Sequence, residues 1–326
     1  MSTIVLPFAR FARSAVRCYL QHSPVMKGKA LLWDSMRALI RAYPDLFPPC
    51  EVRNRTGLVL QSRFSESHER DVYFWGMWTP PIEYLLRRLL RNGDVFIDVG
   101  ANVGYFSMFA SQLVGPDGQV LGFEPSPTSA DIFRRNAARN GCINVEIHQV
   151  AVSDEAGERD LTEPMVGCDL ATMRILSHHE LSRAVTHHVK TVALDDVLEP
   201  MLAKRVRLVK IDVEGAEMLV LRGMKKLLAT SQSLCVVCEV TDSYLRQMNT
   251  SAPELLEFVC SLGYEAFRIT HPENCQLGDY QFAQTKRPYL LRKLTGPPED
   301  PRILQYDALF MRSASAESLF HPLLHE

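Results

Sequence analysis

The chain has 326 residues, 46% of them hydrophobic and 23% charged, which is enough to bury the core of one large domain with an extension, or of two domains. A formal net charge of -2 gives no overall basic field, so composition argues against a nucleic-acid-binding protein. No apolar run has the length of a bilayer span.

The beginning of the chain is amphipathic, with apolar residues at helical spacing opposite a face of arginines. Such a helix could contact a membrane surface through residues 4–20, serve as an organelle presequence, or pack on the protein's own body or a partner subunit. We favour packing, because the run is short. The apolar residues are Ile4, Phe8, Phe11, Ala15 and Tyr19, and the arginines are Arg10, Arg13 and Arg17.

Residues 1–80 are predicted to form an accessory region of helices followed by a small hairpin around Gly57, over residues 51–64. Trp75 and Trp78 follow the hairpin. Aromatic residues at this position could contact a substrate, although tryptophans more often pack in a core.

The segment from Asp94 to Ser107 reads as a strand, a tight turn and the start of a helix. Gly100 and Gly104 flank the turn, where glycine permits a close approach of the backbone to a ligand or to a neighbouring element. On its own this pattern is equally typical of packing and of ligand binding.

Beyond this turn, strands alternate with helices, which predicts right-handed crossovers and a parallel sheet. Two further strands near the C-terminus would close the sheet in antiparallel fashion, with residues 271–302 as the loop between them. The predicted strands after the first are 119–124, 145–150, 207–213, 234–240, 264–269 and 306–311.

The stretch of about residues 155–190 interrupts this rhythm, because it is polar and irregular. Its paired histidines suggest either a metal site or a base on a substrate lid, but adjacent residues rarely chelate one ion, so we predict solvated histidines and no metal. Cys235 and Cys238 form a CxxC within an apolar strand and are predicted to be core thiols. The paired histidines are His178, His179, His187 and His188.

Acidic residues follow the predicted strands at the edge where α/β sheets bind ligands. Glu124 lies about two dozen residues after the glycine turn, the distance expected for a carboxylate that binds ribose hydroxyls. Asn102 occupies the middle position of the turn, where a GxGxxG dinucleotide motif has glycine, and an acidic edge suits a sulfonium cation better than a diphosphate. S-adenosylmethionine is therefore favoured over NAD. The four acids are Asp98, Glu124, Asp212 and Glu214.

Several blocks of the sequence resemble, in order and spacing, the FkbM family of S-adenosylmethionine-dependent methyltransferases over about residues 83–240. The resemblance implies an α/β class I methyltransferase (Rossmann-like) domain, a seven-stranded mostly parallel sheet with helices on both faces. It also implies O-methylation of a sugar, glycan or secondary metabolite. The blocks are Asn92-Gly-Asp-Val-Phe-Ile-Asp-Val-Gly-Ala-Asn-Val-Gly-Tyr105, Val120-Leu-Gly-Phe-Glu-Pro-Ser-Pro127, Ala151-Val-Ser-Asp154, Leu194-Asp-Asp-Val-Leu198 and Val209-Lys-Ile-Asp-Val-Glu-Gly-Ala-Glu217.

The resemblance also assigns roles by position. Asp212 would face the methyl group, with Glu214 beside it, and these two are the candidate general bases. Asp212 could instead orient the cofactor's amino group while Glu214 caps the next helix. The cofactor-binding residues would be Asp98, Gly100, Asn102 and Gly104 at the methionine end, Glu124 on the ribose, and Ala151 and Val152 against the adenine.

The domains expected are an accessory region at 1–80, a methyltransferase domain at 81–315 with an insertion at about 155–190, and a tail at 316–326. Eight cysteines without a disulfide framework indicate a reducing, cytoplasmic setting. The expected partner is a small-molecule or glycan acceptor, without nucleic acid. Two other functions stay open, an NAD(P)-linked reductase and a scaffold that binds the cofactor without turnover.

Overall fold

The computed structural model describes residues 2–23, 25, 27–64, 66–164, 184–271, 279–285, 287–298, 305–313 and 324–325. The chain divides into two compact units. One comprises Met1–Glu83 with Glu273–Arg287, and the other comprises Tyr84–Pro272 with Pro288–Glu326. No helix in these described ranges is both long enough and apolar enough to cross a membrane.

The first unit contains helices and one hairpin. Strand β1 (Cys50–Arg53) pairs antiparallel with β2 (Val59–Ser62), which confirms the predicted hairpin. Asn54 closes its turn, because its side-chain oxygen accepts hydrogen bonds from the backbone N–H groups of Thr56 and Leu58. The helices of this unit are Ser2–His22, Lys29–Ala42, Ser67–Trp75 and Asp279–Gln284, with a 3-10 turn at Pro44–Leu46.

The N-terminal helix turns a different face inward than the sequence predicts. Phe11 is 73% exposed and Ala15 is also exposed, whereas Arg13 is buried. The Arg13 guanidinium lies 5.1 Å from the centre of the Phe64 ring, so a cation on an aromatic ring replaces an apolar contact. The expectation that Phe11 and Ala15 pack inward is therefore wrong, and the side chains of Ile4 and Phe8 lie outside the described part.

The aromatic residues before the second unit pack as core. Trp75 is buried and stacks on Tyr280 at 5.3 Å between ring centres, and Trp78 lies 5.2 Å from the His68 ring. The packing role favoured for these tryptophans is confirmed for Trp75.

In its described residues, the second unit is built on a sheet of nine strands. Seven of them are the predicted strands: β3 (Val95–Val99), β4 (Gln119–Phe123), β5 (Val145–His148), β9 (Val206–Ile211), β10 (Cys235–Val240), β11 (Glu265–Thr270) and β13 (Tyr306–Met311). The other two are β12 (Leu290–Leu294) and β14 (Leu324–His325). The order across the sheet is β14-β12-β11-β13-β10-β9-β3-β4-β5. Its centre, from β10 to β5, is parallel, and β13 and β11 continue it in antiparallel fashion.

The count of seven strands is wrong, because β12 (Leu290–Leu294) and the two-residue β14 (Leu324–His325) extend the sheet. Strand β12 pairs with β11, and it lies in the stretch predicted as a loop. Its sequence, Leu-Leu-Arg-Lys-Leu, has too few alternating apolar residues to identify a strand, and the neighbouring strand supplies the pairing.

The insertion is also more regular than predicted. Strand β7 (Gly157–Pro164) pairs antiparallel with β8 (Ala184–Val192), and β6 (Ala151–Val152) pairs parallel with β8. His187 and His188 lie on β8, whereas His178 and His179 lie outside the described residues. Polar side chains on both faces of this ribbon hide the strand period from the sequence.

Helices cover both faces of the large sheet. Val95, Ile97 and Val99 belong to the core on one face, and Asp98 on the opposite face accepts a hydrogen bond from Ser107. Cys235 and Cys238 are fully buried, as predicted. The remaining helices are Pro80–Leu89, Tyr105–Val114, Pro127–Arg139, Leu194–Val197, Pro200–Ala203, Glu217–Gly223, Lys225–Thr230, Asp242–Gln247 and Ala252–Ser261.

Candidate active site

The glycine turn after β3 is shaped by close contacts. Gly100 has a φ of 76°, and a Cβ there would lie 1.8 Å from the backbone oxygen of Asp212. A Cβ on Gly104 would lie 1.9 Å from the Phe133 ring. Both glycines are thus required by neighbouring elements, and Gly100 brings the end of β9 directly against the turn.

Glu124 holds the same turn from the end of β4. Its Oε2 accepts a hydrogen bond of 2.8 Å from the backbone N–H of Asn102, and its Oε1 accepts one of 2.8 Å from the N–H of Ser126. Asn102 has a φ of 50°, a conformation that asparagine tolerates better than most residues. Each carboxylate oxygen keeps a second lone pair for a ligand hydroxyl.

Burial raises the pKa of Glu124 to about 7, although the hydrogen bonds from the backbone N–H groups of Ser126 and Asn102 oppose this rise. The nearby carboxylates of Glu163 and Asp98 raise it further. Glu124 is therefore a carboxyl group that changes charge near neutral pH.

Glu163, which the sequence did not single out, belongs to the same cluster. It is buried on β7, where its Oε2 accepts a hydrogen bond of 2.9 Å from the Ser126 hydroxyl and lies 3.4 Å from the His187 Nε2. The pairing of β7 with β8 brings it there from 37 residues beyond Ser126. Ser126 at the start of its helix thus connects two carboxylates.

A buried lysine connects the acids at the ends of β3 and β9. The Lys210 ammonium donates a hydrogen bond of 3.0 Å to Asp212 Oδ2 and lies 3.7 Å from Asp98 Oδ1. The other Asp98 oxygen accepts a hydrogen bond of 2.7 Å from the Ser107 hydroxyl. Burial raises the pKa of Asp98, and the Lys210 ammonium opposes this rise.

The turn after β9 presents its acids in an unusual backbone conformation. Glu214 has a φ of 55° and Gly215 one of 109°. The N–H groups of Val213 and Gly215 donate to the Glu217 carboxylate, so Glu217 anchors the turn to the next helix. Burial raises the pKa of Glu217 to about 7. Left-handed backbone at a non-glycine residue is common at functional sites.

Three carboxylates converge where β9 and β10 end. Oxygens of Asp212, Glu214 and Glu239 lie within 4.8 Å of one another. Burial, followed by the charges of Asp212 and Glu214, raises the pKa of Glu239 well above its usual value. Such a group could hold a metal ion or a proton, and the prediction that the site uses no metal stays a prediction.

Ala151 and Val152, the predicted adenine contacts, are both buried on β6. Ala151 packs with Leu161 and Val189 of the β7–β8 ribbon, while Val152 packs into the main core. Their side chains therefore stabilise the fold, and contact with a flat ring would rely on their backbone.

The arrangement fits S-adenosylmethionine better than a dinucleotide. Four acids and one ammonium line the two turns, so negative charge predominates, and the turn lacks the middle glycine of a diphosphate site. The strand order and this site define a class I S-adenosylmethionine-dependent methyltransferase domain.

The family described as "Methyltransferase FkbM domain" matches residues 98–266, which is more than half of the chain. The chain belongs to the FkbM methyltransferase family, as its sequence blocks predict.

Individual relatives match a central part of the chain. "Methyltransferase 1" of Beauveria bassiana is 34% identical over 148 residues, covering 41% of this chain and 59% of the relative. "31-O-demethyl-FK506 methyltransferase FkbM" of Streptomyces tacrolimicus is 32% identical over 161 residues, covering 42% and 61%. "Hexuronic acid methyltransferase AglP" of Haloferax volcanii is 26% identical over 140 residues, covering 43% and 54%. The chain thus spans little more than half the length of these relatives.

Proposed function

We propose that the protein transfers the methyl group of S-adenosylmethionine to a hydroxyl oxygen of a sugar, a glycan or a secondary metabolite. When bound, S-adenosylmethionine supplies a methyl group on a positively charged sulfur. The observation that carries the proposal is the contact between the glycine turn and the end of β9, which sets Asp212 beside the predicted cofactor site.

The residues have separate tasks in this proposal. Gly100, Asn102 and Gly104 shape the wall for the methionine end, and Glu124 receives the ribose hydroxyls. Asp212 accepts the proton that the acceptor hydroxyl loses as it forms its new bond to carbon, with Glu214 as the second candidate. Asp212 suits this task because its side chain is 25% exposed, whereas Asp98 is buried.

The acceptor class rests on the relatives. One carries a name that specifies a hexuronic acid, and another is named for a position on a demethylated metabolite. Both names concern hydroxylated molecules. We infer the same acceptor class for this chain.

We also infer a reducing compartment such as the cytoplasm. All six cysteines in the described part of the chain are free, and two of them are deep in the core.

The experiment is transfer of a labelled methyl group from S-adenosylmethionine to separate pools of hexuronic-acid glycans and of polyketide-like alcohols. The proposal is supported if molecules of one pool carry the labelled methyl group on oxygen and keep it after treatment with base. Binding of S-adenosylmethionine without transfer to any pool, by a protein shown to be folded, would favour the scaffold instead.

A further inference from the structure

Lys210 is a buried charge near the carboxyl end of strand β9, whose other residues are apolar except for the partly exposed Arg207. It lies directly across from Asp98 of β3 in the parallel ladder, so their side chains share one face of the sheet. Its side chain is only 5% exposed. Burial of an ammonium is costly, and it is tolerated where carboxylates compensate the charge.

The compensation comes from two acids of the candidate site. Within the described part of the chain, no other basic side chain pairs with Asp98 or Asp212. Asp98 Oδ1 is buried and accepts no hydrogen bond there, so the Lys210 ammonium at 3.7 Å is what balances its charge. Burial alone would lower the pKa of Lys210, but the two carboxylates reverse this and raise it, so the group stays charged.

The lysine also restrains Asp212. The hydrogen bond of 3.0 Å fixes one carboxylate oxygen, while the Phe106 ring lies 5.2 Å from the ammonium. Asp212 is less buried than Asp98, so this bond selects one orientation of a side chain that would otherwise sample several.

We propose that Lys210 is a positioning residue: its buried ammonium bridges Asp98 and Asp212 and aims the Asp212 carboxylate at the positively charged methylsulfonium group of the cofactor, on the side where the acceptor hydroxyl binds. This rests on the cofactor placement proposed above. It explains how the site distinguishes S-adenosylmethionine, which carries the positive charge, from S-adenosylhomocysteine, which has lost it. An aimed carboxylate favours the charged form, so the same lysine promotes exchange of product for new substrate.

The test measures calorimetrically the ratio of the dissociation constants of S-adenosylhomocysteine and S-adenosylmethionine, and it needs no acceptor. Lys210→Met keeps an unbranched side chain but removes the charge. We expect the ratio to fall about five- to tenfold, because the Asp212 carboxylate is no longer held toward the positive charge of the cofactor. Asp212→Asn, which removes that carboxylate charge, should lower the ratio to a similar extent. In the variant that combines Lys210→Met with Asp212→Asn, the ratio should fall no further than in either single variant, since Lys210 acts through Asp212. Asp131→Asn, which removes a carboxylate charge from an exposed ion pair, is the control and should keep the ratio.

A second variant tests the inference in case Lys210→Met alone does not fold. Lys210→Met combined with Asp98→Asn removes both members of the buried pair, which proteins tolerate better than loss of one, and its ratio should fall as in Lys210→Met alone. If Lys210→Met weakens both ligands equally while Asp212→Asn lowers the ratio, the lysine is merely structural and the inference is wrong. If Asp212→Asn also leaves the ratio unchanged, the cofactor placement itself is wrong.

Discussion

The two turns that form the candidate site differ in how their acids are satisfied. At the first turn, both oxygens of Glu124 accept backbone hydrogen bonds. At the second, Asp212, Glu214 and Glu239 crowd together, and a single lysine offsets the charge of Asp212. A carboxylate held by two backbone donors is rigid and suits binding, whereas crowded carboxylates raise one another's pKa and suit proton transfer. Under the proposed function we therefore call the first turn the binding wall and the second turn the reactive wall.

The largest effect should come from the reactive wall. Replacing Asp212 with Asn removes the proton acceptor and should lower kcat about 100- to 1000-fold, whereas the S-adenosylmethionine Kd should rise only about five- to tenfold. Rates with the acceptor identified by methyl labelling, together with calorimetry, check this. Asp131→Asn, a change in an exposed ion pair, is the control and should have wild-type rates. A loss of affinity as large as the loss of rate would place Asp212 in the binding wall.

The second-largest effect should come from the contact between the two turns, where Gly100 lies against the backbone of Asp212. Gly100→Ala would drive a Cβ into the Asp212 backbone and should lower the free energy of unfolding by about 3 kcal/mol or more. Gly93→Ala is the matched control, because Gly93 has a φ of 86° but open space around it. It should cost only about 1 kcal/mol. Urea denaturation measures both, and equal costs would show that backbone conformation alone requires the glycine.

Glu124→Gln tests the binding wall. The neutral amide presents an N–H group where two backbone donors already point, so S-adenosylmethionine affinity should fall about tenfold with kcat nearly unchanged. Calorimetry and initial rates separate the two quantities. A fall in kcat at full occupancy would give Glu124 a part in the chemical step.

The same residue should make stability depend on pH. Its pKa is about 7 when folded and lower when unfolded, so the folded state binds more protons between these values. The free energy of unfolding should thus decrease as pH rises from about 4.5 to about 7. Glu124→Gln should flatten this slope in urea titrations, whereas Glu51→Gln, an exposed control, should not.

The smallest effect concerns metal. With Asp212 as proton acceptor and no metal in the site, EDTA should change the rate by less than about twofold. Restoration of lost activity by Mg²⁺, but not by Na⁺ at equal ionic strength, would show instead that the three carboxylates hold a cation.

The sequence predicted the parts of the fold that local pattern determines. Seven strands, the glycine turn and Glu124 follow from apolar runs, spacing and family resemblance. Lys210, Glu163 and Glu239 escaped notice because their roles depend on which strands are neighbours and in what register. Lys210 did leave one signal, a charge between the apolar residues Val209 and Ile211, two residues before Asp212.

The elements that the sequence did not predict also depend on tertiary contacts. Strand β12 forms by pairing with β11, and the β7–β8 ribbon has polar residues on both faces, so neither shows a clear strand pattern. The N-terminal helix was misjudged because arginine counted as a solvent-facing residue, although Arg13 lies over an aromatic ring. An amphipathic pattern identifies the helix, but it does not show which side of the helix packs against aromatic residues elsewhere in the fold.

The 1.8 Å separation between a Cβ on residue 100 and the Asp212 backbone also limits how the candidate site could be redesigned. The two turns share one van der Waals boundary, so backbone shifts introduced to change the acceptor at the β9 turn would reach the cofactor turn. Libraries aimed at new acceptors should therefore keep residues 100 and 212 fixed and place their diversity on the β7–β8 ribbon, whose backbone lies outside that boundary.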